Sequence, residues 1–105
     1  MRIIVVEPWK KPYLKEINGS LESMQKIVGG HIEAVYPFPH SIALVCDEEG
    51  LLKGYQPNRM INRNLVIFGT FFLCGVGDED FTDMPRHLVD RYLEMFKFNG
   101  ILKMP

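Results

Sequence analysis

The sequence predicts an α+β domain: a mainly antiparallel sheet of about five or six strands with two helices packed on it, in the order β-β-α-β-β-(β)-β-α. Two observations carry this. Only Leu21–Val28 and the stretch from Leu88 to Phe96 place apolar residues at helical spacing. Elsewhere, short apolar or alternating runs follow one another, separated by Pro, Gly, Asn and Asp. Strands that succeed one another in sequence pair antiparallel far more readily than parallel.

Each element has its own reason. Ile3–Glu7 opens the chain as a strand, and its unbroken apolar run predicts burial on both faces. Pro8 and Pro12 bracket a turn containing Trp9, Lys10 and Lys11. Tyr13–Ile17 alternates weakly, as an edge strand does, with Tyr13, Lys15 and Ile17 on one face. Ser20 caps a helix over Leu21–Val28, Glu22 and Lys26 suit its dipole, and Gly29 ends it. Residues 32–36 and 41–46 are strands around the turn Pro37-Phe38-Pro39-His40, and Asp47-Glu48-Glu49-Gly50 is a second turn. Leu51–Tyr55 reads as a short strand and residues 56–64 as the longest irregular segment. Leu65–Val76 is strand, interrupted at Gly69 and Gly75. The second helix takes Asp83 or Thr82 as its cap and Pro85 in its first turn, and ends near Phe98-Asn99-Gly100. Ile101-Leu102 is a last strand or a tail. Both helices are expected on one face of the sheet.

The chain of 105 residues suits one domain, with a core over residues 2–98 and a tail over 99–105. Its net charge of −1 excludes a generally basic protein and gives no footprint for phosphate backbones. No segment has the length of a transmembrane helix or the form of a signal peptide, so a cytoplasmic location and no membrane partner are expected. Cys46 and Cys74 sit in apolar runs without metal or redox spacing and read as buried thiols.

No constellation specifies a reaction. His31, His40 and His87 lack ligand spacing, so neither a metal nor a cofactor is implied. Asp78, Glu79, Asp80 and Asp83 depart from calcium-loop order and fit the approach to a helix N-terminus. Gly75-Val76-Gly77 lacks the strand-to-helix setting of a phosphate loop, and no serine stands in a nucleophile elbow. Catalytic residues are therefore none. The polar segment Pro57, Asn58, Arg59 and Arg63 is the candidate binding surface, because arginine on a loop presents fixed donors. The competing account lets Asn58 shape a turn while Arg59 pairs with Glu48 or Glu33. Trp9 beside two lysines is either an interface anchor or a side chain folded over the core edge, the second being favoured.

EPWKKP, KEINGSLESMQKIVGGHIE, ALVCDEEGLLKG, PNR and GTFFLCG together resemble a bacterial, phage and plasmid family, the domain of unknown function 3846. The likeness runs from Ile3 to about Phe96 and is most specific at Val28-Gly29-Gly30, Pro57-Asn58-Arg59 and Gly69-Thr70-Phe71. Trp9 stands where that resemblance leads one to expect a small residue. The family implies a setting on mobile elements and no activity. The expectation is therefore a small non-catalytic protein-interaction module with a protein partner. The alternative is a nucleic-acid-associated accessory protein using Lys10, Lys11, Lys15, Arg59 and Arg63, although the net charge does not support it. A small enzyme built on Glu33, His31 or His87 comes third. A homodimer could pair through the Tyr13–Ile17 edge.

Overall fold

Both faces of the sheet are covered. The computed structural model describes residues 1–97 and has the order β1 (Arg2–Val6), β2 (Tyr13–Glu16), α1 (Leu21–Val28), β3 (Ile32–Val35), β4 (Ile42–Asp47), β5 (Pro57–Asn62), β6 (Leu65–Phe68), β7 (Phe71–Val76), β8 (Phe81–Thr82) and α2 (Arg86–Met95). The main sheet has six strands in the order β2-β1-β7-β4-β3, with β8 beside the end of β7. Every pairing in it is antiparallel. The α+β class and the antiparallel sheet are those the sequence predicts.

The central strands explain the layering. Ile3, Ile4, Val5 and Val6 are all buried, as are Ala43 to Val45 and Phe71 to Cys74, so neither sheet face is left for water. Ile3, Val5, Ala43, Val45, Phe72 and Cys74 meet Met24 and Val28 of α1. Ile4, Val6, Leu44, Cys46, Phe71 and Leu73 meet Leu88, Val89, Tyr92 and Phe96 at the other face. The expectation of both helices on one face is thus corrected. Strands apolar on both sides need cover on both sides, and one helix supplies each.

The α2 side is shared with a hairpin. Residues 56–64 are not irregular: β5 and β6 form a separate antiparallel pair across an Arg63-Asn64 turn, with Ile67 entering the core. Proline is tolerated at the first position of a strand outside a sheet's centre, where Pro57 stands. Nor is Leu51–Tyr55 a strand. Lys53 N–H donates to Glu49 O at 2.8 Å and Tyr55 N–H to Gly50 O at 3.0 Å, closing successive turns.

The helix ends differ in kind. Ser20 Oγ accepts from Ser23 N–H at 3.0 Å, and Gly29 takes the left-handed conformation at φ 95°, so α1 starts and stops as expected. At α2, Pro85 occupies the cap position, with no side-chain bond. Asp83 does not cap it, because its carboxylate accepts from Arg2 N–H at 2.8 Å, and Thr82 lies in β8. The acidic segment before it turns β7 back to β8, with Gly77 N–H donating to Asp80 O at 2.8 Å. The α2 helix ends at Met95, before the predicted Phe98-Asn99-Gly100, and Ile101-Leu102 lie outside the described residues.

Candidate functional site

Asn58 and Arg59 are buried, not displayed. Arg59 is 2 % exposed and Asn58 wholly enclosed, although both are strongly polar. Their hydrogen bonds explain why they stay inside. Asn58 Nδ2 donates to Val6 O at 2.8 Å and to Gly69 O at 2.9 Å. Arg59 Nη1 donates to Asn58 Oδ1 at 2.8 Å and to Asn58 O at 3.3 Å, while Nη2 donates to Lys10 O at 2.9 Å and Phe96 O at 2.8 Å.

The competing account of an ion pair with Glu48 or Glu33 also fails, since the partners of Arg59 among the described residues are carbonyl and amide oxygens. Burial pulls the guanidinium below its ordinary pKa, and its Nε–H has no acceptor among the described residues. Placing it at Phe96 O is favourable because the carbonyls at a helix C-terminus carry partial negative charge. The pair Asn58-Arg59 therefore fastens the end of β1, the turn after it, the link from β6 to β7 and the end of α2. Of the other proposed site residues, Pro57 opens β5 and Arg63 stands exposed in the β5–β6 turn.

What Asn58 and Arg59 hold is a tryptophan. Val6 O lies before the β1–β2 turn and Lys10 O within it, so the two bonds bracket Trp9. Trp9 is half exposed and has φ 66°, the sole positive value outside glycine among the described residues. A bulky side chain rarely adopts this conformation, which costs roughly 1–2 kcal/mol against the ordinary helical region. Glycine at this position would meet the same turn without the Cβ that causes the strain. The indole Nε1–H donates to Gln56 Oε1 at 3.0 Å, which orients the ring at the surface instead of folding it over the core.

Beside this turn runs an open groove of about 240 Å³, lined by Pro8, Ile27, Val28, Tyr55, Gln56 and Thr70 together with Gly29 and Gly69. The Tyr55 ring forms one wall by lying against two glycines of positive φ. A Cβ on Gly29 would come within 2.7 Å of its hydroxyl, and one on Gly69 would overlap its ring. Lys53 braces the same wall, donating to Gly29 O at 3.3 Å and to the buried Asp47 carboxylate at 2.8 Å. Burial raises the Asp47 pKa, but hydrogen bonds from Lys53 and from Glu49 N–H, with the charge of Lys53, outweigh it and hold the carboxyl below its usual range.

The sequence signal for this surface was Trp9 itself, whose left-handed backbone no sequence pattern announces. The three stretches most specific to the resemblance meet here. Val28-Gly29 and Gly69-Thr70 line the groove, and Asn58 holds Gly69 from behind.

The remaining candidates are dispersed. His40 Nδ1 lies 2.7 Å from the Tyr92 hydroxyl, His31 lies 3.5 Å from Glu48, and His87 is exposed on α2. The thiols are free and face opposite sides of the sheet, Cys46 toward α2 and Cys74 toward α1. Burial pushes their pKa values up to about 11 and about 12, Glu33 and Asp47 adding to the rise at Cys46. A thiol so shifted is a poor nucleophile at neutral pH. No described helix is long and apolar enough to cross a membrane.

No curated protein and no solved structure matches the chain. The model of one family does, over residues 1–97, and by that coverage the chain belongs to the domain of unknown function DUF3846.

Proposed function

We propose that the protein is a small non-catalytic protein-interaction module, working in the bacterial, phage or plasmid setting implied by the resemblance, and that Trp9 and the groove beside it form its contact surface. One observation carries the reading: Trp9 is presented at the surface on a strained backbone, with its ring held in place. Strain of this kind persists only where the surroundings impose it, and it gathers at functional positions. Tryptophan is also the side chain most enriched among residues that dominate binding energy. Asn58 and Arg59 belong to this site as positioning residues, since they hold the turn without touching a partner.

The nucleic-acid reading loses one of its five cations, because Arg59 is enclosed, and Lys10 lies 3.7 Å from Glu7.

The test is affinity capture of the tagged chain from its native cells, with nuclease treatment, using the wild type and Trp9→Asn. Asparagine tolerates a left-handed backbone, so this variant keeps the turn. The expected result is a stoichiometric protein partner that survives nuclease and is lost with Trp9→Asn, while circular dichroism is unchanged. Recovery that nuclease abolishes, or a partner retained equally by the variant, overturns the proposal.

A further inference from the structure

On the other side of the 47–56 segment the surface has a different chemistry. A groove of about 170 Å³ runs between β3 and β6, with Val35, Leu51, Leu65 and Phe68 along it and Glu33 and Glu48 at its rim. Leu51 on its lining is 66 % exposed, and Leu52, next in the chain, is 84 % exposed. Here the backbone is pinned by the turn bonds Lys53 N–H to Glu49 O and Tyr55 N–H to Gly50 O. The Asp47–Lys53 ion pair at 2.8 Å ties the same segment to β4. A rigid apolar lip is an unfavourable surface for an isolated protein and a ready one for a partner.

Charge says what the partner carries. Asp47 is neutralised within the fold by Lys53. Glu33 makes no ion pair among the described residues, and Glu48 faces His31 at 3.5 Å, an imidazole charged only when protonated. The apolar floor is therefore rimmed by Glu33, which has no ion-pair partner among the described residues, and by Glu48, whose neighbour carries charge only when protonated.

We propose that this groove binds a polypeptide segment of another protein that places apolar side chains next to Lys or Arg. The apolar side chains cover Leu51, Leu65 and Phe68, and the cations meet Glu33 and Glu48. Complementary charge of this kind sets partner choice and speeds encounter more than it adds affinity. The inference extends the protein-interaction reading to a second face and rests on it, but not on Trp9.

Three fluorescein-labelled short peptides test it by anisotropy: one alternating Leu and Lys, one alternating Leu and Glu, one alternating Ser and Lys. The expected result is that the Leu-Lys peptide binds at least about tenfold more tightly than either of the others. Binding weakens severalfold in Glu33→Gln/Glu48→Gln and at high salt, disappears in Leu51→Ser, and is unchanged in Trp9→Asn. Indifference to Trp9→Asn separates this groove from the Trp9 surface, so either proposal can fail alone. Equal binding of the Leu-Lys and Leu-Glu peptides, binding of none, or loss of binding in Trp9→Asn overturns the inference. So does a self-association of the chain, seen by sedimentation, that Leu51→Ser removes, since the face would then belong to a second copy.

Discussion

Arg59 is a buried cation without a carboxylate, and its energetics follow from that. Four hydrogen bonds to oxygen offset the desolvation of the guanidinium. Truncation to alanine removes the charge but strands Lys10 O, Phe96 O and Asn58 Oδ1 around a cavity. Arg59→Ala should lower unfolding free energy by about 3–5 kcal/mol, read from urea denaturation. Asn58→Ala should lose about 2–4 kcal/mol, because Val6 O and Gly69 O then lose the Asn58 donor and Arg59 loses its amide acceptor. If either variant is as stable as the wild type, these residues do not hold the fold together. Arg59 was legible in the sequence as an exceptional residue, but its direction was not. A chain reading sees an arginine and assigns it to solvent, since charged side chains are almost never enclosed unless satisfied. Two of the four oxygens that bind this one come from residues 49 and 37 positions away, out of reach of any local pattern.

Among the elements, the segment 47–56 organises its surroundings most. Tyr55 is wedged against glycines from two other elements, so Gly69→Ala meets both the left-handed φ of 86° and the ring. A loss of roughly 2–4 kcal/mol is expected by urea denaturation, and a loss of under about 0.5 kcal/mol would show that the wedge yields freely. Asp47 adds a pH dependence. Its carboxyl titrates lower in the folded chain than in the unfolded one, so its contribution is present above the ordinary carboxylate pKa of about 4 and disappears as pH falls through the lower folded value. Asp47→Asn should therefore unfold at less urea than the wild type at pH 7, and the gap should close as the solution is acidified below about pH 4. A gap independent of pH would assign the effect to packing.

The elements themselves were unevenly readable. The first helix is written in local signals, Ser20, the apolar spacing and Gly29, and it lies at Leu21–Val28 as expected. The hairpin β5–β6 was hidden because Gln56-Pro57-Asn58-Arg59 has loop composition, and only its tertiary partners make a strand of it. The short connection Arg63-Asn64 between two runs was the available signal.

For the whole molecule, the decisive property is that the sheet is covered on both faces while its edges remain. The unbroken run Ile3–Val6 already called for cover on two sides, and assigning both helices to one face contradicted that signal. The layering also fixes the cysteines, since Cys46 and Cys74 have the sheet between them and cannot be bridged without dismantling it. Their modification by a thiol reagent at neutral pH should track global unfolding, with both sites negligible in the native protein and labelled together across the urea transition. Rapid native labelling of Cys74 would mean that α1 detaches alone. The exposed edge β2 is short and carries Lys15 and a preceding Pro12, features that discourage strands from adding to it.

The guanidinium of Arg59 also joins two distant parts of the chain. One Nη2 group holds both the turn that displays Trp9, through Lys10 O, and the residue that closes α2, through Phe96 O. Neither can move alone without costing that nitrogen one of its two acceptors. A force on the turn that displays Trp9 would therefore be borne by the same guanidinium that holds the end of the second helix.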